Sequence, residues 1–207
     1  MTLHRDLGDG LKSCWLTPVY LQEAPDTPSV VAAVNAALAA LILKRSEEAP
    51  GISTSNVGAW QGPADLLRSG DPAVHRLVTW IEEAAATLAA VVRASVEGVR
   101  LQDPRAEAWA VRYRAGDAQT LHVHPGSVWS GVYYVRVPRD LAEDEGVLEL
   151  LDPRPAARAR GAEAGVHRIV PREGLLVAFP SWLEHQVRPH RSKSDRLCIA
   201  FNVGYGA

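Results

Sequence analysis

Apolar positions recur along this chain at two different periods, and the change from one to the other divides it near residue 105. Val30, Val34, Ala37, Leu38, Leu41 and Ile42 fall at helical spacing. Thr27 stands where an N-cap belongs, and Pro28 suits a first turn, where its missing N–H is no loss. Lys44 and Arg45 suit the negative C-terminal end. Asp71 and Pro72 open a second helix in the same way, with Val74, Leu77, Val78, Ile81, Leu88, Val91 and Val92 as its stripe. The polar run EEAPGISTSNVGAWQGP between them predicts a loop. From Glu107 onward the pattern becomes short β-type segments separated by Gly, Pro and Asp: 108–114, 120–124, 131–137, 147–151, 175–179, 185–188 and 196–203. Several short strands at such spacing predict a sandwich or barrel rather than alternating strands and helices. Residues 153–165, rich in Pro, Ala and Arg, predict an exposed loop. The expected architecture is a single domain over 1–207, mostly helical through residue 100, with a mainly β core over 105–205 and two helices packed outside it.

Composition changes this picture little. A hydrophobic share of 47% with 22% charged residues is that of an ordinary globular chain, and a net charge of -2 gives no reason to expect nucleic acid or a membrane surface as partner. Cys14 and Cys198 lie far apart without Cys-x-x-Cys spacing, so two reduced thiols are expected rather than a disulfide or a zinc knuckle. The start MTLHRDLGDG has no leader pattern, and the Ala-rich apolar run 30–43 is too short for a bilayer, so a cytoplasmic protein is expected. Nothing in the pattern predicts an oligomeric state.

Histidine placement adds more. His122 and His124 lie in LHVHPGSVWSGVYYV, and side chains two apart on a strand project to one face, so the two imidazoles can converge. His185 follows a Pro-containing turn in FPSWLEHQV. Together they supply three metal ligands on one face and leave coordination positions open, as an iron(II) oxygenase needs; zinc with a water accepts the same set. Arg196 heads the segment RLCIAFNV, eleven residues after His185, and on adjacent antiparallel strands it can face the same cavity. Its guanidinium is a fixed fork for a carboxylate. 2-Oxoglutarate has two carboxylates, one to chelate a metal and one that needs a cation deep in the pocket. His4, His75, His167 and His190 have no convergent partners and are expected to be non-catalytic.

The runs HVHPGSVWSGVYYVRVP, GVLELLDPRP, GLLVAFPSWLEHQVRPH and RLCIAFNV resemble a branch of the 2-oxoglutarate/Fe(II)-dependent oxygenases. The similarity covers about residues 105–203, with a weaker echo in SNVGAWQGPADLL. A looser similarity is to aspartyl/asparaginyl β-hydroxylases, which carry His-x-Gly-Pro where this chain has His122-Val123-His124-Pro125. The resemblance implies a double-stranded β-helix (a cupin-like jelly roll) using iron(II), 2-oxoglutarate and O₂ and releasing succinate and CO₂. It also implies His122 and His185 as ligands and Arg196 as the anchor of the co-substrate's tail. Hydroxylation of a small molecule or an amino-acid or peptide substrate is the default outcome, with desaturation, ring closure or halogenation as variants.

This chain departs from the family pattern twice. The usual Asp or Glu of His-x-Asp/Glu is His124, so either three imidazoles bind the metal, or a carboxylate such as Asp152, or water alone, takes that place. Cys198 stands where many relatives place a Ser or Thr that helps hold the distal carboxylate; Tyr133 or Ser130 is expected to supply that hydrogen bond instead. Trp129 and Trp182 are candidate pocket walls, Asn202 shares the face of Arg196 by its even spacing, and Arg154 is a candidate for a substrate carboxylate. Trp60 is a candidate lid residue. Two rivals stay open: a three-histidine cupin-type dioxygenase that uses no 2-oxoglutarate, and a β-barrel binding module without catalysis.

Overall fold

The computed structural model describes residues 5–9, 11–13, 16–95, 101–159 and 165–206. His4, Cys14 and part of the predicted 153–165 loop lie outside them. In chain order the elements are a hairpin β1 (Arg5–Gly8) and β2 (Leu11–Ser13), β3 (Tyr20–Glu23), α1 (Pro28–Glu48), β4 (Asn56–Val57), β5 (Trp60–Gln61), α2 (Pro72–Ser95), β6 (Pro104–Tyr113), β7 (Ala118–His122) and β8 (Trp129–Arg136). They continue with β9 (Leu148–Leu151), a short α3 (Pro155–Arg158), β10 (Val166–Ile169), β11 (Leu175–Pro180), β12 (His185–Val187) and β13 (Arg196–Tyr205). All seven strands expected after residue 105 are present to within a few residues.

Two antiparallel sheets face each other, a six-stranded one in the order β3-β11-β8-β13-β6-β5 and a five-stranded one in the order β10-β9-β12-β7-β4. This is the double-stranded β-helix, and strict alternation along its strands separates two cores. On β13, Leu197, Ile199, Phe201 and Val203 face outward to α1 and α2, where they meet Leu38, Ile42, Leu77, Trp80 and Ile81. Cys198 and Ala200 face inward with Trp109, Val111 and Tyr113 of β6, opposite Leu148 and Leu150 of the smaller sheet. Gly131 sits in mid β8, where a Cβ would come within 2.2 Å of the Val177 carbonyl oxygen and 2.3 Å of the Phe201 ring. No other residue fits there without moving the sheet.

The helices form as their patterns require. Asp71 accepts the Ala73 N–H (2.8 Å) and so caps α2, whereas the Thr27 hydroxyl meets that of Ser29 and makes no cap bond. At 21 residues with a mean hydropathy of 1.4, α1 is long and apolar enough to cross a membrane by length and composition, which corrects the shorter span expected from the sequence. Much of that apolarity is its outer face of Ala32, Ala33, Ala36, Ala37 and Ala40, while Leu38, Ala39 and Ile42 are buried in the domain core. The N-terminal half is also less helical than expected: β3 and β5 close opposite edges of the larger sheet, and β4 closes one edge of the smaller.

Candidate metal and co-substrate site

His122 ends β7 and His185 begins β12, and the two residues are directly paired across the strands. The chain runs on beyond β7 with the His124 N–H donating to the Ser181 carbonyl (2.9 Å), then reverses through Gly126 at φ +91° into β8. The three rings gather at centroid separations of 4.2 Å (His122–His185), 5.0 Å (His122–His124) and 5.1 Å (His124–His185). Their ligand atoms lie within 4.8 Å of one another. Nδ1 of His122 lies 2.7 Å from the Thr120 carbonyl, and Nδ1 of His185 lies 2.8 Å from that of Leu183. A carbonyl only accepts, so both Nδ1 atoms carry the proton and both Nε2 lone pairs are free. Phe179, edge-on to His185 at 4.7 Å, and Trp109, 5.8 Å from His124, hold the rings from behind.

All three imidazoles are neutral near pH 7. Burial lowers the His122 pKa against the opposing Thr120 hydrogen bond. Burial, then the neighbouring His122, brings His124 to about 4. Burial, then the other two rings, brings His185 to about 3. A depressed histidine pKa means that the unfolded chain takes up protons first, so stability is complete above about pH 6.5 and falls as the pH drops toward the folded value. The metal-free chain is expected to lose about 2 kcal/mol through His185 between pH 7 and pH 5. Urea denaturation at the two pH values checks this, and His185→Gln should remove about that share of the difference while leaving the share that the depressed His124 contributes.

Arg196 occupies the other end of the same cavity, a space of about 510 Å³ between the sheets. It is 1% exposed. Its guanidinium lies 4.1 Å above the Tyr113 ring and donates from Nη1 to the Gly146 carbonyl, but its Nε is buried without a hydrogen-bond partner. Among the described residues no carboxylate pairs with it. A cation–π contact offsets only about 2 kcal/mol of the several that burying an unpaired charge costs. The hydroxyls of Tyr113 and Tyr134 also line this end, and burial raises both pKa values, so they are neutral donors. Cys198 is a free thiol raised to about 11, mainly by burial.

Other expectations are corrected here. Tyr133 points out of the cavity: its hydroxyl donates to Asn35 (2.7 Å) and its ring meets Trp80 at 5.3 Å. Its neighbour Tyr134 takes the inward phase of β8. Ser130 shares that inward phase, but its hydroxyl is spent on Asn202 Oδ1 (2.7 Å). Trp129 is on the outward phase, bonded to the Tyr205 hydroxyl, and Trp182 is half exposed, so Trp109 is the tryptophan that walls the cavity. Arg154 grips Asp152 with Nε and Nη2 in a separate recess, which removes both from the site. Asn202 does line the cavity, as its spacing from Arg196 predicts. Trp60 donates to the Ala49 carbonyl, while its strap contributes Ile52, Thr54, Ser55 and Gln61 to the cavity wall. His190, though buried beside Arg196 with both ring nitrogens unpartnered, lies outside the cavity lining. No local pattern points to Tyr113 and Tyr134, which reach this end through the register of β6 and β8 on β13, or to Gln119, which reaches it from the facing sheet.

The residues present fit a bound cation and a bound diacid. Three neutral imidazoles form a nitrogen donor set suited to iron, nickel, copper or zinc, and a buried unpaired guanidinium wants an anion. Similar folds are known. A prolyl-4-hydroxylase from Pseudomonas putida superposes with a TM-score of 0.64 at 18% identity, over 92% of this chain and 94% of that one. A prolyl hydroxylase from Trichoplax adhaerens, in complex with a hypoxia inducible factor peptide fragment, gives 0.60 at 15%, over 90% and 83%. HygX from Streptomyces hygroscopicus, with nickel and 2-oxoglutarate bound, gives 0.59 at 15%, over 91% and 83%. No curated protein matches the chain in sequence. Residues 107–202 match the family described as "Putative 2OG-Fe(II) oxygenase". That segment, a little under half of the chain, carries all three imidazoles and Arg196, and over it the chain is similar to the 2OG-Fe(II) oxygenases.

Proposed function

We propose that this protein is an iron(II)- and 2-oxoglutarate-dependent hydroxylase of a small-molecule or an amino-acid or peptide substrate, with His122, His124 and His185 as metal ligands and Arg196 as the co-substrate anchor. The observation that carries this reading is the buried, carboxylate-free guanidinium of Arg196 in one cavity with three neutral imidazoles. When bound, iron with 2-oxoglutarate and O₂ supplies the oxidising power, yielding succinate, CO₂ and an oxygen atom inserted into a substrate C–H bond.

The chain's own part is binding and orientation. Thr120 and Leu183 fix the tautomers of His122 and His185, so both Nε2 lone pairs are presented without a change of proton. Three neutral ligands leave the centre one positive charge richer than a two-histidine, one-carboxylate set, and that favours a chelating anion at the open positions. Arg196 meets the far carboxylate with its fork, and the Tyr113 and Tyr134 hydroxyls lie where Cys198 offers little. Phe179, Leu148 and Val111 keep the remaining wall apolar and restrict water. A three-histidine dioxygenase without 2-oxoglutarate has no use for the buried guanidinium, which weighs against that reading. The scaffold binds molecules of both kinds elsewhere: the Trichoplax enzyme is seen with a peptide fragment and HygX with hygromycin B.

The test is anaerobic titration of the iron-loaded chain with 2-oxoglutarate, followed by admission of O₂. Thermal stabilisation by 2-oxoglutarate and release of succinate are expected. Iron binding without either would hand the chain to the three-histidine alternative, and failure to bind iron at all would leave a binding module.

A further inference from the structure

The cavity is polarised along β13 and β6. Registered pairs run from Arg196 opposite Tyr113, through Ala200 opposite Trp109, to Asn202 opposite Glu107, and one face of each strand lines the cavity throughout. The Trp109 ring, 5.8 Å from that of His124, marks the level of the imidazoles. Arg196 lies on one side of that level. Glu107 and Asn202 lie two residues beyond it on the other, about 7 Å along the strand. Among the described residues, Glu107 and Arg196 are the charged side chains that line the cavity, one at each end.

The Glu107 carboxylate is set in place from within. Ser130 donates to Asn202 Oδ1 (2.7 Å), which fixes the amide so that its Nδ2 donates to Glu107 Oε1 (3.0 Å). Asn202 and Ser130 are buried, and they hold an acid whose Oε2 has no hydrogen bond or ion pair among the described residues. Arg105, one step further out on the same face of β6, is exposed and forms no ion pair with it.

We infer that the primary substrate carries a cationic nitrogen, a protonated amine or a guanidinium, which docks on Glu107 Oε2 while a carbon about one strand step away lies over the imidazole trio. Glu107 is thus a specificity-determining residue, and the Trp109 face beside it favours a cation over a neutral group of the same shape. The inference rests on the function proposed above. The cation has two sources, a free amine or a Lys or Arg side chain in a peptide, and they are tested separately.

The probes are agmatine against 4-ureidobutan-1-ol, and acetyl-Ala-Lys-Ala-amide against its norleucine counterpart, titrated into the full chain loaded with nickel(II) and 2-oxoglutarate so that nothing turns over. At least one cationic probe should bind at least about five-fold more tightly than its neutral partner, the scale of a partly exposed ion pair. Glu107→Gln should erase that preference, and whichever pair shows it names the source. Equal binding within both pairs, a preference that survives in Glu107→Gln, or no binding by either cationic probe overturns the inference. 2-Oxoglutarate affinity on the same samples reports on the Arg196 end: if wild type fails to bind it, the co-substrate reading fails instead, independently of the probe result.

Discussion

Replacing His185 with alanine should abolish stoichiometric iron binding. His185 is the most buried of the three imidazoles and sits opposite His122 in the β7–β12 pair, so its ring defines the inner side of the site. Its Nδ1 is committed to the Leu183 carbonyl, which leaves its Nε2 as the atom that can hold a metal. Two imidazoles of the cluster remain after the substitution. Altering an outer partner of a metal ligand already costs ten- to a hundred-fold in affinity, so loss of a ligand itself should exceed about 100-fold. Anaerobic equilibrium dialysis against iron(II) measures this, with circular dichroism confirming the fold. His185→Gln keeps the space beside Phe179 filled, 4.7 Å away in the native chain, and should lose iron equally while folding more stably than the alanine variant. Stoichiometric iron in both variants would contradict the assignment.

The site was legible in the sequence where its members lie close along the chain. His122 and His124 are two apart, and Asn202 keeps parity with Arg196 along a strand whose other positions are apolar. The phase of β8 was not legible. Its WSGVYYVR is buried on both faces, with Tyr133 and Tyr134 adjacent and equally apolar, so no solvent-facing residue says which tyrosine turns inward. That ambiguity hides that Tyr134 rather than Tyr133 turns inward and that Trp129 turns outward. Tyr113, Trp109 and Glu107 join the site through the register of β6 on β13, a pairing more than 80 residues apart in the chain that no local pattern encodes. The edge strands β3, β4 and β5, two to four residues each, are too short to show a period and take their shape from the strands they join. Both helices were plain because each combines a proline in its first turn with an apolar stripe.

Arg196→Ala should leave iron binding intact and weaken 2-oxoglutarate by about 2 to 5 kcal/mol, the scale of losing a buried charge-assisted partner. That is about 30-fold at the least, read by titration of the iron-loaded chain without O₂. Arg196→Lys should fall between: the charge survives, but a point ammonium lacks the fork and the flat face that lies on Tyr113 at 4.1 Å. Stability separates an anchor from a structural arginine. In the chain without co-substrate the guanidinium is buried with an unpartnered Nε and no carboxylate, so its contact with Tyr113 and its bond to Gly146 work against a desolvation cost of several kcal/mol. Arg196→Met, which keeps the length and the apolar stem, should therefore unfold within about 1 kcal/mol of wild type in urea, while 2-oxoglutarate raises the melting temperature of wild type alone. A large loss of stability in Arg196→Met with unchanged 2-oxoglutarate affinity would make Arg196 a strut of the β13 strand rather than the residue that grips the co-substrate. The geometry argues against a strut, because a cation held, among the described residues, by one carbonyl and one aromatic face contributes little to a fold that an apolar side chain of the same reach would not.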